Sequence, residues 1–225
     1  MQFISNAPFF AGNVMNQIDP NLTWGFENLI RCISINTELA PASRSRNIEG
    51  GSQEYITKLA NNFALSRVVR APTPPSTIPD EMVSRILAVY FNVPQDSLEN
   101  AKYLHALSMG AENIVGDLLE RYIASVIEPQ GWIWCSGSTV KSVDFIRPPV
   151  NANNTWGLLQ VKNRDNSENS SSSAIRNGTE IIKWFRTFSR TGATNWLAFP
   201  CVNGRGSLSE AGFIDFVDQY LLSMR

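Results

Sequence analysis

An acid, an amide and a lysine form the most informative pattern in the sequence. Asp144 lies in the segment TVKSVDFI, and Gln160 and Lys162 lie in the next apolar segment, WGLLQVK. Alternate residues of a β-strand point to one face, so Gln160 and Lys162 share a face if this segment is a strand. Antiparallel pairing then brings Asp144 beside them. The pattern predicts one pocket with a carboxylate, a neutral oxygen ligand and an ammonium group, which is a combination suited to binding a cation or a phosphate. The alternative is that Asp144 and Lys162 form only a structural ion pair.

The overall composition is that of a nearly neutral protein with enough apolar residues for a sizeable core. The chain has 225 residues, with 19 Lys+Arg, 20 Asp+Glu and one histidine, and 43% of its residues are hydrophobic. This length predicts one domain, or one domain with a smaller subdomain. The sequence lacks the basic excess typical of nucleic-acid-binding proteins, so any such function must depend on local clusters.

Several protein classes are excluded by the sequence. No apolar run reaches the roughly 18 residues of a transmembrane helix, and no basic residue precedes the apolar N-terminal stretch, so we expect a cytoplasmic protein without a membrane partner. Three scattered cysteines, Cys32, Cys135 and Cys201, argue against a disulfide framework or a cysteine zinc site. The single histidine excludes a multi-histidine zinc site, and the apolar neighbours of His105 favour a packed or capping role.

The first half of the chain is predicted to be a mainly helical N-terminal subdomain, residues 1–104. Apolar residues recur at helical spacing, and prolines interrupt the pattern at 71–79. No chemical motif stands out in this half. The predicted helices cover residues 22–36, 52–69, 80–91 and 94–103.

The second half, residues 105–225, is predicted to be an α/β unit. Its elements follow in the order helix, three antiparallel strands, helix, strand, helix, which predicts a mixed central sheet flanked by helices on both faces. The predicted helices are 109–127, 174–190 and 210–224, and the predicted strands are 132–135, 139–146, 156–162 and 195–200.

This order of elements resembles the core of the PD-(D/E)XK nucleases. More specifically, LLQVKNRDNSENSSSSAIRNGTEIIKWFR (158–186) and the hairpin GWIWCSGSTVKSVDFI are similar to type II restriction endonucleases of the SinI group. The resemblance covers roughly residues 109–200 and implies a Mg²⁺-dependent, sequence-specific endonuclease of double-stranded DNA. It also implies a homodimer on a GG(A/T)CC-type site, and a cognate methyltransferase that protects the host DNA.

The resemblance assigns catalytic roles to Asp144, Gln160, Lys162 and Glu120. Asp144 is then the main metal ligand, helped by the main-chain carbonyl of Val161 and the Gln160 amide, and Lys162 holds the attacking water or neutralises the phosphate. Gln160 departs from the family motif, which usually has Asp or Glu and therefore a further negative charge. Glu120, in Gly116-x-x-x-Glu120, can restore that carboxylate, and Glu112 is a weaker candidate. The alternative is that Glu112, Asp117 and Glu120 are solvated charges on a helix face.

A polar segment follows the predicted third strand and carries the side-chain types that read base edges. Arginine pairs with guanine, carboxylates accept from cytosine, and asparagine binds adenine. Residues 162–190 hold six basic and three acidic residues, which gives a local positive patch. The alternative is a flexible polar linker with a serine helix cap. The predicted DNA-binding residues are Asn163, Arg164, Asp165, Asn166, Ser167, Asn169, Ser171, Ser172, Arg176 and Asn177.

Two other functions stay open at this point. A repair or junction-resolving nuclease of the same superfamily would carry stronger basic patches and less mixed-charge chemistry in the polar segment. A non-catalytic DNA- or protein-binding module would use Asp144 and Lys162 only as an ion pair.

Overall fold

The computed structural model describes residues 1–43, 47–150, 155–165, 180–201 and 207–225. Within these residues, six α-helices surround one sheet of four strands. The helices are α1 (Ala7–Ile18), α2 (Thr23–Ile35), α3 (Gln53–Leu65), α4 (Glu81–Val89), α5 (Leu98–Ile127) and α6 (Glu210–Leu222). The strands are β1 (Ile133–Trp134), β2 (Phe145–Arg147), β3 (Gly157–Arg164) and β4 (Ile182–Thr187).

The sheet is mixed, with the strand order β1-β2-β3-β4. Strands β1, β2 and β3 form an antiparallel meander in which Phe145 pairs with Leu159. Strand β4 runs parallel to β3, with Val161 opposite Trp184. The predicted α/β class and mixed central sheet are therefore confirmed.

Two predicted elements are wrong, and both lie after β3. Residues 182–187, predicted within a helix over 174–190, form strand β4, and residues 174–179 lie outside the described part. Short apolar runs are compatible with a helix or a strand, and here the pairing with β3 decides. Residues 195–200, predicted as a strand, instead contain a 3₁₀ turn at Trp196–Ala198 that buries the Trp196 ring.

The predicted helices elsewhere are found, with different boundaries, whereas the predicted strand 139–146 is reduced to the short β2, Phe145–Arg147. Helix α5 is one continuous helix of 30 residues where the sequence predicts two, over 94–103 and 109–127. Gly110 lies inside it and is buried, because residues 73–74 cross closely above it and a Cβ would lie 3.0 Å from the Pro74 nitrogen. Helix α1 was not indicated by the sequence pattern.

The sheet separates two hydrophobic cores. Helices α1, α2 and α3 bury one face of β1 and β2, with Phe26 and Phe63 packed against Ile133 and Ile146. Helices α5 and α6 cover the other face. Helices therefore flank both faces, as predicted. The second core includes Leu118, Leu119, Ile123, Phe145, Leu159, Trp184 and Phe213.

The predicted division after residue 104 falls inside α5 and stays a prediction. Among the described residues, no helix combines the length and the apolarity that crossing a bilayer demands.

Candidate active site

A cleft of about 1080 Å³ contains all four side chains that were predicted to be catalytic. Strand β3 contributes Gln160 and Lys162, α5 contributes Glu120, and Asp144 is the residue immediately before β2. Helix α3 and residues 41–43 close the opposite wall. Residues far apart in the sequence thus meet in one concave site, which is the usual form of a ligand-binding or catalytic centre.

The alternation of β3 places Gln160 and Lys162 on one side of the sheet. Leu159 and Val161 point the other way, into the core formed with α5. The Gln160 side chain is buried at 2% exposure, whereas Lys162 is half-buried at the cleft. An amide oxygen and an ammonium group are therefore fixed by a strand whose other face is anchored by packing.

Asp144 is held by the hydrogen-bond ladder of the sheet. Its main-chain N–H donates to the Leu159 carbonyl at 2.9 Å, and its carbonyl accepts from the Cys135 N–H at 2.8 Å. Its carboxylate Oδ2 accepts from the Val161 N–H at 2.7 Å. The chain turns just before this point, where Ser142 has a positive φ of 56°. The side chain of Asp144 thereby bonds a main-chain donor of β3 and is fixed beside Gln160.

The segment before Asp144 is fastened to α3. Gly137 has φ +76°, and a Cβ at this position would lie 2.6 Å from the Asn62 carbonyl oxygen. The Ser136 hydroxyl donates to the Phe63 carbonyl at 2.8 Å. This glycine is required by both its backbone conformation and the close approach of α3. The N-terminal helices therefore help to position the acid of the site.

Glu120 reaches the site from α5, and the Trp134 indole holds it there. The indole Nε1 donates to Glu120 Oε2 at 2.8 Å. Burial, and then repulsion from Asp144, raises the pKa of Glu120 to about 8. Burial also raises the pKa of Asp144 to about 6, although the Val161 N–H and the charge of Lys162 oppose the shift. Two carboxyl groups with raised pKa values mark a place where a cation would be stabilised.

These oxygen donors fit a hard divalent cation. Carboxylates and amide or main-chain carbonyls are the groups that Mg²⁺ prefers, and Mg²⁺ keeps several waters when protein ligands are few. In the described ranges, no group of three or more His, Cys, Asp or Glu side chains is arranged to hold a metal. Among the described acids of the cleft, Asp117 is paired with Arg121 and Arg70, so a ligand set would draw on Asp144 and Glu120, with neutral oxygens and water completing it.

Two arginines clamp α3 to α5 behind the site. Arg67 donates to both Glu128 oxygens, at 3.1 and 2.8 Å, and to the Trp134 carbonyl at 2.8 Å. Arg121, at 8% exposure, lies over the Trp134 ring. Its guanidinium binds Asp117 at 2.8 Å and the last carbonyls of the α3 segment, at Ser66, Arg67 and Val68.

Basic residues that the sequence did not single out line the same cleft. Lys58 comes from α3, Arg70 follows α3, and Lys141 precedes β2. Arg70 also lies 3.5 Å from Asp117. No local motif marks these residues, because only the tertiary packing brings them beside Lys162. The cleft thus combines three acids with four basic side chains.

The predicted DNA-binding residues are only partly described. Asn163 Oδ1 accepts from Arg186 at 2.9 Å, and Asp165 Oδ1 accepts from the Ser189 N–H at 2.9 Å, so both bond to β4 and the segment after it. Arg164 is exposed at the end of β3. The other predicted residues lie outside the described part: Asn166, Ser167, Asn169, Ser171, Ser172, Arg176 and Asn177.

Of the remaining candidates, only Asp117 and Cys135 line the cleft. Glu112 is exposed on α5 and does not line it, whereas Asp117 does. His105 is exposed in the interior of α5, so the predicted packed or capping role is wrong. The three cysteines are buried and free, and burial raises the pKa of the Cys135 thiol, which does not favour a nucleophilic role.

The raised pKa of Glu120 predicts a stability that falls with rising pH. Its ordinary value is 4.5 and its folded value is about 8, so ionisation costs stability progressively across that interval. Glu120→Gln removes this titration. The metal-free variant should match the wild type near pH 5 and melt at least about 2–4 °C higher near pH 9. Thermal unfolding followed by circular dichroism at both pH values measures the difference. Equal melting temperatures near pH 9 would contradict the assignment.

Known proteins of one family match this chain along almost its whole length. The SinI restriction endonuclease family matches residues 7–223. The type II restriction enzyme SinI of Salmonella infantis is 51% identical over 225 residues, covering 99% of this chain and 97% of that protein. The type II restriction enzyme Eco47I of Escherichia coli is 50% identical over 224 residues, with the same coverage of both chains. The chain therefore belongs to the SinI restriction endonuclease family.

Proposed function

We propose that this type II restriction endonuclease hydrolyses one phosphodiester bond in each strand of a GG(A/T)CC-type duplex site, with Mg²⁺ as cofactor. The observation that carries the proposal is the convergence of Asp144, Glu120, Gln160 and Lys162 in one cleft with a partly basic wall. The family relationship supports the reaction class. The resemblance of residues 158–186 supports the recognition site.

The proposed metal ligands are Asp144, the main-chain carbonyl of Val161 and the Gln160 amide, with Glu120 as a second carboxylate. When bound, Mg²⁺ would supply an activated water and positive charge beside the scissile phosphate. The mutual repulsion of Glu120 and Asp144 supports a cation between them. Glu120 therefore compensates for the missing charge at Gln160.

Lys162 is proposed to orient the attacking water or to neutralise charge that develops on the phosphate. Lys162 and Asp144 do not form an ion pair: within the described part, their charged atoms do not come within 4.0 Å of each other. The charge of Lys162 still lowers the pKa of Asp144 from a longer distance. This observation favours a functional lysine over the structural ion pair.

Residues 1–104 are proposed to form a subdomain that completes the DNA-binding cleft of the nuclease core, residues 105–225. Their contribution is the wall made by α3 and residues 41–43. The segment 163–177 is proposed to read the bases, with Arg164 at a guanine edge. We further propose that the enzyme acts in the cytoplasm as a homodimer, alongside a methyltransferase that protects the host sites.

Lys58, exposed on α3 at the cleft, is expected to contact a DNA phosphate. Lys58→Ala should then weaken binding almost uniformly across DNA sequences and reduce the slope of log K against log salt by about 1. Fluorescence anisotropy at several salt concentrations measures both effects. The matched control is Arg31→Ala, because Arg31 is exposed on α2 and does not line the cleft. An unchanged slope, or a loss confined to one DNA sequence, would contradict the phosphate contact.

Incubating plasmid DNA with the purified protein, with and without Mg²⁺, tests the proposed function directly. Discrete fragments that appear only with Mg²⁺ support it. Smears or cuts confined to branched DNA would instead indicate a repair or junction-resolving nuclease. DNA that stays intact would indicate a non-catalytic binding module. Mapping the ends of the fragments then tests the GG(A/T)CC-type site.

A further inference from the structure

A helical arm, defined here as residues 78–109, exposes an unusual amount of apolar surface. It contains α4, the first turns of α5 and the residues around them. In the described part of the chain, 11 of the 25 exposed large apolar side chains lie in this arm. They are Ile78, Met82, Val83, Ile86, Val89, Tyr90, Phe91, Tyr103, Leu104, Leu107 and Met109.

The exposed residues of α4 form one stripe. Met82, Val83, Ile86, Val89 and Tyr90 recur at the spacing that places side chains on a single helix face. Such a face normally packs against a core, yet here these side chains are 51–77% exposed. Helix α4 contacts α5, and its buried residue, Ser84, lies on the side away from the stripe. The arm is therefore a two-helix layer with a second apolar face that the chain itself does not cover.

We propose that this arm is the surface through which two copies of the chain associate, with each arm packing on the other about a twofold axis. The inference rests on the proposed function, because two associated copies would place one active site on each strand of the duplex. A twofold interface requires a surface that is complementary to itself, and an uncharged apolar stripe meets this requirement.

The area of the patch fits a dimer. Stable interfaces bury about 800 Å² on each partner, whereas the largest apolar patch of a typical monomer is about 300–600 Å². Three aromatic residues of the arm are 62–77% exposed, and they alone would bury on the order of 300–500 Å². Eight further apolar side chains of the arm are exposed as well. The apolar area that the arm exposes is therefore of the size that a second copy of the chain would cover.

The arm is also continuous with the active site. Met109 in the arm and Glu120 in the cleft lie on the same helix, α5, roughly 16 Å apart along its axis. Asn113 and Gly116, between them, line the cleft. Pairing through the arms would therefore hold two clefts at a fixed separation on one DNA duplex.

The test is the oligomeric state in solution without DNA, measured by sedimentation velocity over a range of micromolar concentrations. The wild type should be a dimer, and the double variant Ile86→Lys/Val89→Lys should be a monomer. The matched control is Ile35→Lys/Leu222→Lys, which changes two exposed apolar residues outside the arm and should stay dimeric. A monomeric wild type, or a dimeric arm variant, would overturn the inference. A monomeric wild type would also indicate that the apolar face of the arm binds a different partner.

A second measurement covers the case in which the lysine variant does not fold. Single cysteines placed at Val83, Ile86 and Val89 should give disulfide-linked dimers under mild oxidation at one or more positions, and Ile35→Cys should not. Absence of linked dimers at all three arm positions would contradict the interface. DNA cleavage is measured in a separate experiment. A dimer that cuts no DNA would contradict only the proposed function. A monomer that cuts both strands would contradict only the proposed interface.

Discussion

Asp144→Asn and Lys162→Ala are each expected to lower the rate of DNA cleavage by roughly 10³-fold while specific DNA binding is largely kept. Removing a positioned charge or donor from an active site costs roughly 10²–10³-fold, and Asp144 would also lose its charge as the main metal ligand. Binding should persist because most DNA contacts go to phosphates and bases away from these two groups.

Single-turnover cleavage of a duplex with one site measures the chemical step, and anisotropy without Mg²⁺ measures binding. The matched control for Asp144→Asn is Asp215→Asn, an exposed residue of α6 that does not line the cleft. Folding is checked by thermal unfolding, because Asp144 also accepts from the Val161 N–H. Cleavage near the wild-type rate in both variants would contradict the proposed active site.

Arg121→Ala is expected to destabilise the protein by about 3–5 kcal/mol, the range seen when one partner of a buried ion pair is removed. The side chain is 8% exposed and donates to three main-chain carbonyls as well as to Asp117. Truncation leaves those acceptors buried without their donor and separates α3 from α5. Because both helices line the cleft, cleavage activity should fall together with stability.

Urea unfolding at equal protein concentration measures the loss of unfolding free energy in the Arg121→Ala variant. Arg31→Ala is the control, because the Arg31–Glu27 pair on α2 is partly exposed and such pairs contribute about 0–1 kcal/mol. Arg121→Lys should recover little, since an ammonium group cannot replace the planar fork of donors that reaches several carbonyls. A loss below about 1 kcal/mol for Arg121→Ala would contradict the clamp.

The local pattern of β3 was enough to predict the centre of the cleft. Leu159 and Val161 enter one core while Gln160 and Lys162 face the cleft, so the period of two residues was visible in the sequence. The meander with Asp144 beside Gln160 followed from short-range pairing of neighbouring segments. These features were predictable because they depend on neighbours in the sequence.

The features that the sequence did not reveal depend on distant contacts. The sequence predicts a helix at β4 because a short apolar run fits either structure, and the pairing with β3 decides between them. The wall that contains Lys58, Arg70 and Lys141 has no local signature, since it forms only when α3 packs against residues 136–144. Strand β4 and the basic wall of the cleft therefore depend on long-range packing, which local periodicity does not reveal.

The Val161 N–H donates to Asp144 Oδ2, and this hydrogen bond requires a side chain of the length of aspartate at position 144. One carboxylate oxygen is engaged by the backbone, so the other is the one that the proposed cation would bind. A glutamate at this position would carry one more methylene group and could not hold the same oxygen at 2.7 Å without shifting the chain. The site thus has one acid whose geometry is set by the sheet itself.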